Sequence, residues 1–191
     1  MLHLVFSPKS VEMLTEAFPE TDSSDWESIY AKILGRAEGG NELILYVDGS
    51  SNALTRSAGI GGVLLSSSKD DDEREEILTF SENIGEATNN VAEYSALIRG
   101  LEYARELKGK KISVFSDSEL MVNQLKLEYK VKSDRLMKLY SEAMDLFDQF
   151  DSWNIGHIPR SKNRKADILS NQALKKPVRE VSSQPREDRQ K

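Results

Sequence analysis

Four acidic residues carry the chemistry that this sequence is able to perform: Asp48, Glu93, Asp117 and Asp167. Asp48 comes directly after residues 43–47, a run of apolar residues typical of a buried strand. A charge at the tip of a core strand is costly to desolvate unless it has a partner. Alone, Asp48 is most simply a turn aspartate, so its interest depends on whether the other acids reach it.

The other three acids each have a structural interpretation as well. Asp117 stands between Ser116 and Ser118, a pattern typical of a helix N-cap. Glu93 is predicted in the first turn of a helix, where it would complement the helix dipole. Asp167 is compatible with a surface acid close to Lys165. For each residue alone the structural interpretation is favoured, and only the joint pattern favours a functional site.

Hydrophobic periodicity predicts the elements that must position these acids. Strands are predicted over residues 43–47, 58–65, 77–84, 111–115 and 153–158, and helices over residues 88–107, 119–125, 133–150 and 166–173. Short connections between the first three strands favour an antiparallel meander. The whole order predicts an α/β domain with one mixed sheet flanked by helices.

This order of elements brings distant acids to one edge of the sheet. A helical crossover between parallel strands would make Asp48 and Asp117 neighbours at the carboxyl ends of the first and fourth strands. In open α/β sheets, ligands bind outside the strand ends where the strand order reverses. Glu93 and Asp167 begin helices that could point at the same edge, so all four acids are predicted to converge.

Carboxylates gathered at one place repel one another unless cations neutralise them. The sequence has no cysteine and only 2 histidines, so oxygen ligands dominate and favour Mg²⁺ or Mn²⁺ over zinc. Two such ions, about 4 Å apart, can clamp the attacking and leaving oxygens of a phosphoryl displacement. The pattern is therefore compatible with a two-metal centre for phosphoryl transfer, although the spacing of the acids alone does not establish one.

The composition limits where nucleic acid can bind. The chain has 191 residues and a formal net charge of −6, which fits one domain with appendages. Non-specific affinity for nucleic acid comes from Lys and Arg, so a general phosphate-binding surface is disfavoured. Local positive charge is offered by Arg160, Lys162, Arg164 and Lys165. The alternative for these residues is the solvated start of a helix.

Two terminal segments stand apart from the predicted domain, residues 41–175. Residues 1–40 are predicted to form a helical N-terminal extension with more acids than bases, which packs on the main domain, on a second copy or on another protein. Residues 176–191 are predicted to be a polar, flexible tail. With no membrane span, signal peptide or cysteine found, a cytoplasmic location is expected.

Five short motifs occur in a specific order: Tyr46-Val47-Asp48-Gly49-Ser50, Ala58-Gly59-Ile60-Gly61, Thr88-Asn89-Asn90-Val91-Ala92-Glu93, Phe115-Ser116-Asp117-Ser118, and His157 through Asn163 to Ala166-Asp167. Each motif alone is weak, but together they resemble ribonuclease H, type 1, over about two thirds of the chain. Residues 128–132 lead straight into a helix, as in the compact branch that lacks the basic protrusion of other members.

The resemblance implies a mixed five-stranded sheet and an endonuclease that cuts the RNA strand of RNA–DNA hybrids, leaving a 5′-phosphate and a 3′-hydroxyl. It implies that Asp48, Glu93, Asp117 and Asp167 are catalytic ligands of two Mg²⁺ or Mn²⁺ ions. His157 would assist proton transfer or product release, the alternative being a strand-end histidine bonded to backbone. Substrate contacts are expected at Gly49, Ser50, Asn89, Asn90, Ser118, Arg160, Lys162 and Asn163, with Asn163 also orienting its loop.

Two other functions are compatible with the same fold. The first is a metal-dependent nuclease that acts on a different nucleic acid. The second is a non-catalytic module that binds nucleic acid or a protein partner, with residues 1–40 recruiting that partner. The intact set of carboxylates argues against the second, because a site that has lost its chemistry is expected to lose its acids.

Overall fold

A computed structural model describes residues 42–66 and 74–178. Their elements are β1 (Glu42–Asn52), β2 (Ser57–Ser66), β3 (Glu76–Gly85), α1 (Asn89–Glu106), β4 (Lys111–Ser116), α2 (Glu119–Leu125), α3 (Asp134–Phe147), β5 (Ser152–His157), a 3₁₀ turn (Arg160–Lys162) and α4 (Arg164–Ala173). The predicted helical extension over residues 1–40 lies outside the described residues, as do residues 179–191 of the predicted tail. None of the helices within these ranges is long and apolar enough to cross a membrane.

The strands form one mixed sheet in the order β3-β2-β1-β4-β5. The first three strands are antiparallel neighbours, whereas β4 runs parallel to both β1 and β5. The predicted meander and the predicted crossover between β1 and β4 are therefore confirmed. The parallel register pairs Tyr46 with Phe115, which places Asp48 and Asp117 level with each other two residues further along.

The main core lies between one face of this sheet and helices α1 and α3. Leu43, Leu45 and Val47 alternate along β1 and join this core. The apolar residues that recur at helical spacing along α1 are buried: Val91, Tyr94, Leu97, Ile98, Leu101 and Ala104. Because α1 connects β3 to β4 across this face, its N-terminus lies at the same sheet edge as the end of β1.

Helix α4 packs on the opposite face, where glycines of β2 leave room for its backbone. A Cβ atom at Gly59 would lie 2.2 Å from the carbonyl oxygen of Ser170, and one at Gly61 would lie 2.3 Å from the backbone nitrogen of Ser170. Glycine is required at both positions because any side chain would collide with backbone atoms. This close approach brings the first turn of α4 next to the end of β1.

Two element boundaries and the exposure of one side chain differ from the predictions. The first strand extends through its polar end to Asn52, because residues 50–52 pair with Ser57 and its neighbours in a hairpin. Helix α3 ends at Phe147 rather than at residue 150. Ile168 of α4 is exposed, since small residues of that helix, rather than its large ones, face the glycines of β2.

The chain remains attached to the sheet just beyond the predicted domain boundary at residue 175. Asn83 donates a side-chain hydrogen bond of 2.8 Å to the carbonyl oxygen of Lys176. Val178 forms an isolated parallel bridge with Asn83 at the edge of the sheet. The division into an extension, a domain and a tail stays a prediction.

Candidate functional site

The four acids come from four different elements that meet at one edge of the sheet. Asp48 lies in β1, Asp117 directly follows β4, and Asp167 lies in the first turn of α4. Glu93 lies in the second turn of α1 rather than the first, because α1 begins at Asn89. Since helix-dipole effects fade beyond the first turn, the dipole interpretation of Glu93 loses its basis.

Two of the four acids are buried. Asp48 is 5% exposed and Glu93 is 6% exposed, whereas Asp117 and Asp167 are half-buried. Burial raises the pKa of Glu93 to about 9, and the charges of Asp48 and Asp117 add to this rise. Burial also raises the pKa of Asp48 to about 6, helped by the charges of Asp117 and Asp167. These mutual repulsions mean that the four acids face a common region.

Asp48 and Glu93 are held by donors from neighbouring elements. The hydroxyl of Ser170 in α4 donates to Oδ2 of Asp48, and this bond partly offsets the rise in the pKa of Asp48. The backbone nitrogen of Gly49 donates to Oε2 of Glu93 at 3.2 Å. The backbone nitrogen of Gly49 is thus already engaged by a site carboxylate.

Gly49 is also the point where β1 passes closest to α1. A Cβ atom at this position would lie 2.2 Å from the backbone nitrogen of Glu93. We expect Gly49→Ala to lower the free energy of unfolding by about 3 kcal/mol, because two backbones would have to separate. Urea denaturation measures this loss, with Gly156→Ala as the control, since its Cβ would meet a side chain at 3.1 Å. Equal stability of both variants would contradict the close approach.

Asn163 ties Asp117 to the end of β1. Its Nδ2 donates to the carbonyl oxygen of Val47 at 2.9 Å and to Oδ1 of Asp117 at 2.6 Å. Asn163 is buried, and its Oδ1 has no hydrogen-bond partner among the described residues. The side-chain amide of Asn163 is therefore held by two hydrogen bonds within the protein, and its roles in orienting the loop and in contacting substrate stay predictions.

Asp167 is paired with a cation from the preceding turn. Arg160 forms an ion pair with Oδ1 of Asp167, and its charge also acts on Asp48 and Glu93. Asn171 donates to the same Oδ1 at 3.3 Å. In residues 42–66 and 74–178, no group of three or more histidine or acidic side chains is arranged as a metal cluster.

The other residues expected at the site belong to or flank the end of β5, the start of α1, the end of β4 and the 3₁₀ turn. His157 ends β5 and pairs with Ser116, so it lies next to the residue that precedes Asp117. Its side chain is exposed, as are those of Asn89, Asn90 and Lys162. Ser118 is half-buried, and its backbone nitrogen donates to Oγ of Ser116 at 3.1 Å. The catalytic and substrate roles of these residues stay predictions.

The predicted basic patch is divided by ion pairs. Lys165 pairs with Glu76 of β3, and Arg160 pairs with Asp167, whereas Lys162 and Arg164 are exposed. Lys162, Lys165 and Glu76 line one cavity. Arg160 is the member of the patch that pairs with one of the four acids.

Ser50 and Ser170 are polar side chains whose surroundings the sequence did not predict. Oγ of Ser50 is buried and has no hydrogen-bond partner among the described residues. Ser170 is fully buried, and its Oγ also lies 3.0 Å from the carbonyl oxygen of Asp167. The sequence did hold one signal for Ser170. It lies on the same side of α4 as the small residues Ala166 and Ala173, and a hydroxyl buried there needs a hydrogen-bond partner.

Comparison with known proteins places this arrangement in a family. The family model described as "Reverse transcriptase-like" matches residues 46–173. The crystal structure of RNase H1 from the halophilic archaeon Halobacterium salinarum is 35% identical, with a TM-score of 0.64, covering 70% of this chain and 97% of that one. The chain belongs to the type 1 ribonuclease H family.

Two further ribonuclease H structures share this fold. The N-terminal RNase H domain of Rv2228c from Mycobacterium tuberculosis is 38% identical, with a TM-score of 0.65, covering 70% of this chain and 93% of that one. LC11-RNase H1, solved in complex with an RNA/DNA hybrid, is 36% identical, with a TM-score of 0.61, covering 69% of this chain and 96% of that one. The mixed five-stranded sheet expected for a ribonuclease H is thus confirmed.

Some relatives are considerably longer than the shared region. The bifunctional protein Rv2228c of Mycobacterium tuberculosis is 38% identical over 133 residues, which are 70% of this chain but 35% of that protein. Ribonuclease HI of Halobacterium salinarum is 36% identical over 135 residues, 71% of this chain and 65% of that protein. The ribonuclease H region is therefore what these proteins have in common with this chain.

Proposed function

We propose that this chain is an endonuclease that hydrolyses the RNA strand of RNA–DNA hybrids, leaving a 5′-phosphate and a 3′-hydroxyl. The convergence of four acids from separate elements on one sheet edge, two of them buried, is the observation that supports this function most. The hybrid bound to LC11-RNase H1, a relative that shares the fold, supports the choice of substrate.

The acids at this edge fit hard divalent cations. Their donor atoms are carboxylate oxygens, which suit Mg²⁺ or Mn²⁺. Burial and mutual repulsion hold the pKa of Asp48 and of Glu93 above their usual values, so a cation would relieve an unfavourable arrangement. Asp48, Glu93, Asp117 and Asp167 would hold two ions, which would supply an activated water and would stabilise charge on the attacking and leaving oxygens.

The remaining residues position these acids and the substrate. Ser170 and Asn163 fix the carboxylates of Asp48 and Asp117 from the protein side. Asn89 and Asn90, which are exposed at the start of α1, would contact the sugar edge, where a 2′-hydroxyl distinguishes RNA from DNA.

Basic groups and His157 complete the substrate side of the site. The guanidinium of Arg160 and the ammonium of Lys162 would bind phosphates beside the acids, as cations do in most nucleic-acid contacts. His157, at the end of β5, would exchange a proton with a group near Asp117.

The test of this function is a cleavage assay with three labelled duplexes. The purified chain is incubated with an RNA–DNA hybrid, duplex DNA or duplex RNA, in Mg²⁺ or Mn²⁺. Cleavage of the RNA strand of the hybrid alone is expected, with 5′-phosphate termini on the products. Cleavage of duplex DNA would indicate a different metal-dependent nuclease, and binding without cleavage of any duplex would indicate a non-catalytic module.

Ser170→Ala is expected to weaken catalysis without unfolding the chain. Loss of the hydroxyl removes the bond that lowers the pKa of Asp48, so ionisation of Asp48 requires a higher pH. We expect roughly a tenfold loss of kcat/KM near neutral pH and a shift of the acidic limb of the pH profile to higher pH. Ser170→Thr keeps a hydroxyl and serves as the control. An unchanged pH profile in Ser170→Ala would contradict the positioning role.

A further inference from the structure

A second apolar surface lies on the sheet face that carries α4. We call it the second-face patch, and it consists of Ile44, Tyr46, Val63, Leu65 and Phe115. These residues are cross-strand neighbours, since Ile44 pairs with Leu65 and Tyr46 pairs with both Val63 and Phe115. They alternate with Leu43, Leu45 and Leu64 of the main core, so they point away from it.

The patch has the packing of an interior surface. Ile44 and Val63 are each 3% exposed, although neither belongs to the main core cluster. The rings of Tyr46 and Phe115 stack with centroids 5.3 Å apart. Tyr46, Val63 and Leu65 line a cavity of about 210 Å³. An apolar surface of this kind on a sheet face is typical of one that another element covers.

Helix α4 covers only the neighbouring part of this face. It is anchored over Gly59 and Gly61, near the carboxyl end of β1, and reaches the cavity only through Lys165 and Ala166. The patch lies nearer the amino end of β1, at Ile44. Among the described elements, no other helix packs on this face of the sheet.

The chain itself supplies a segment of matching character. Residues 1–41 precede β1, and the helix predicted after Asp25 places Trp26, Ile29, Tyr30, Ile33 and Leu34 on one face. That helix is predicted to end at Gly39, only three residues before Glu42. Three residues span at most about 11 Å, so the end of the helix must lie close to the start of β1 and to Ile44.

Charge favours the same pairing. Residues 1–40 carry more acidic than basic side chains, including Asp25 and Glu27 at the predicted helix start. Lys162 and Lys165 stand at the rim of the cavity, and Lys165 is already paired with Glu76. An acidic extension that contains a helix with one apolar face therefore suits a patch that is apolar at its centre and has lysines along one rim.

We propose that the amphipathic helix predicted between Asp25 and Gly39 docks on the second-face patch of the same chain. Its apolar face packs against Tyr46 and Leu65 and closes the cavity beside α4. The N-terminal extension is then a structural layer of the domain, and this assignment holds whether or not the chain cleaves hybrids.

The test uses Trp26 as a reporter of burial in the full chain. The sequence has 2 tryptophans, and Trp153 is stacked on Phe147 with ring centroids 4.3 Å apart. Trp153→Phe leaves Trp26 as the single emitter. We expect blue-shifted emission and weak quenching by acrylamide, and we expect Leu65→Asp in this background to shift emission to the red and raise the quenching constant several-fold.

Matched variants separate docking from unfolding. Leu127→Asp introduces the same charge at a residue that is 79% exposed and outside the patch, so it should leave Trp26 shielded. Ile33→Asp on the apolar face of the extension should release Trp26 without altering the sheet, whereas Ser28→Asp on the opposite face should not. Far-UV circular dichroism checks that each variant retains its fold.

The outcomes decide the proposal. Release of Trp26 by Leu65→Asp and Ile33→Asp, in a chain that sediments as a monomer, supports docking within one chain. The proposal is overturned if Trp26 is already exposed in the parent chain. It is also overturned if Ile33→Asp exposes Trp26 while Leu65→Asp, in a chain that remains folded, leaves Trp26 shielded. Shielding that depends on concentration and accompanies a dimer also overturns it, in favour of docking between two copies.

Discussion

Asp48→Asn is expected to abolish cleavage of RNA–DNA hybrids while leaving the fold intact. Asp48 stands at the centre of the site, since its charge acts on Glu93 and it is acted on by Asp117 and Asp167. Asparagine keeps the shape but removes the negative charge that would hold a cation. A loss of several kcal/mol in transition-state stabilisation corresponds to a fall in kcat on the order of a thousandfold or more.

The same substitution should not destabilise the metal-free protein. Asp48 is buried, and an ionised carboxylate in that position is desolvated and repelled by its neighbours. An amide removes this cost, so thermal unfolding in a chelator should occur at an equal or higher temperature in Asp48→Asn. Asp145→Asn, at an exposed position on α3, is the matched control and should change neither kcat nor the unfolding temperature. A variant with near-normal kcat would show that Asp48 is not a ligand.

Glu93→Gln is expected to remove a pH dependence from the stability of the metal-free protein. The pKa of Glu93 is raised by burial, from 4.5 to about 9 in the folded chain. Below pH 4.5 the carboxyl of Glu93 is protonated in both the folded and the unfolded chain, so it affects stability much as a glutamine would. As the pH rises, the unfolded carboxyl ionises first, so the folded state of the parent chain loses stability progressively until the folded pKa is passed.

The measurement is the midpoint of thermal unfolding in a chelator, between pH 5 and pH 9, for the parent chain and for Glu93→Gln. We expect the variant to become more stable than the parent as the pH rises, by on the order of 10 °C at the alkaline end. Glu142→Gln, exposed on α3, controls for the loss of a glutamate. Parallel curves for the parent and Glu93→Gln at every pH would contradict the burial of an ionisable Glu93.

The antiparallel meander and the crossover from β1 to β4 were the parts of the fold that the sequence predicted best. The apolar runs and the helical periodicity predicted five strands and their connections, and the crossover between β1 and β4 then required Asp48 and Asp117 to be neighbours. These are local patterns combined with a general rule of connection. Glu93 was assigned to the wrong turn although the helix start was predicted to within one residue, because the first turn holds only about four residues and Glu93 is the fifth residue of α1.

The supporting contacts of the site could not be predicted, because they join residues remote in sequence. Ser170 donates to Asp48 across 122 residues, and Asn163 donates to Val47 across 116 residues. No periodicity encodes such a bond, which depends on how closely α4 approaches β2. The ion pair of Lys165 with Glu76 has the same origin, and it removes one residue from the basic patch that the sequence suggested.

The most direct test of the central claim is a crystal structure of the chain grown with Mn²⁺, with the anomalous scattering of manganese recorded. Metal ions bound among Asp48, Glu93, Asp117 and Asp167, and absent from crystals of Asp48→Asn, are the predicted result. Manganese located elsewhere, or none at this edge of the sheet at saturating concentration, would contradict the assignment of these acids as a metal centre.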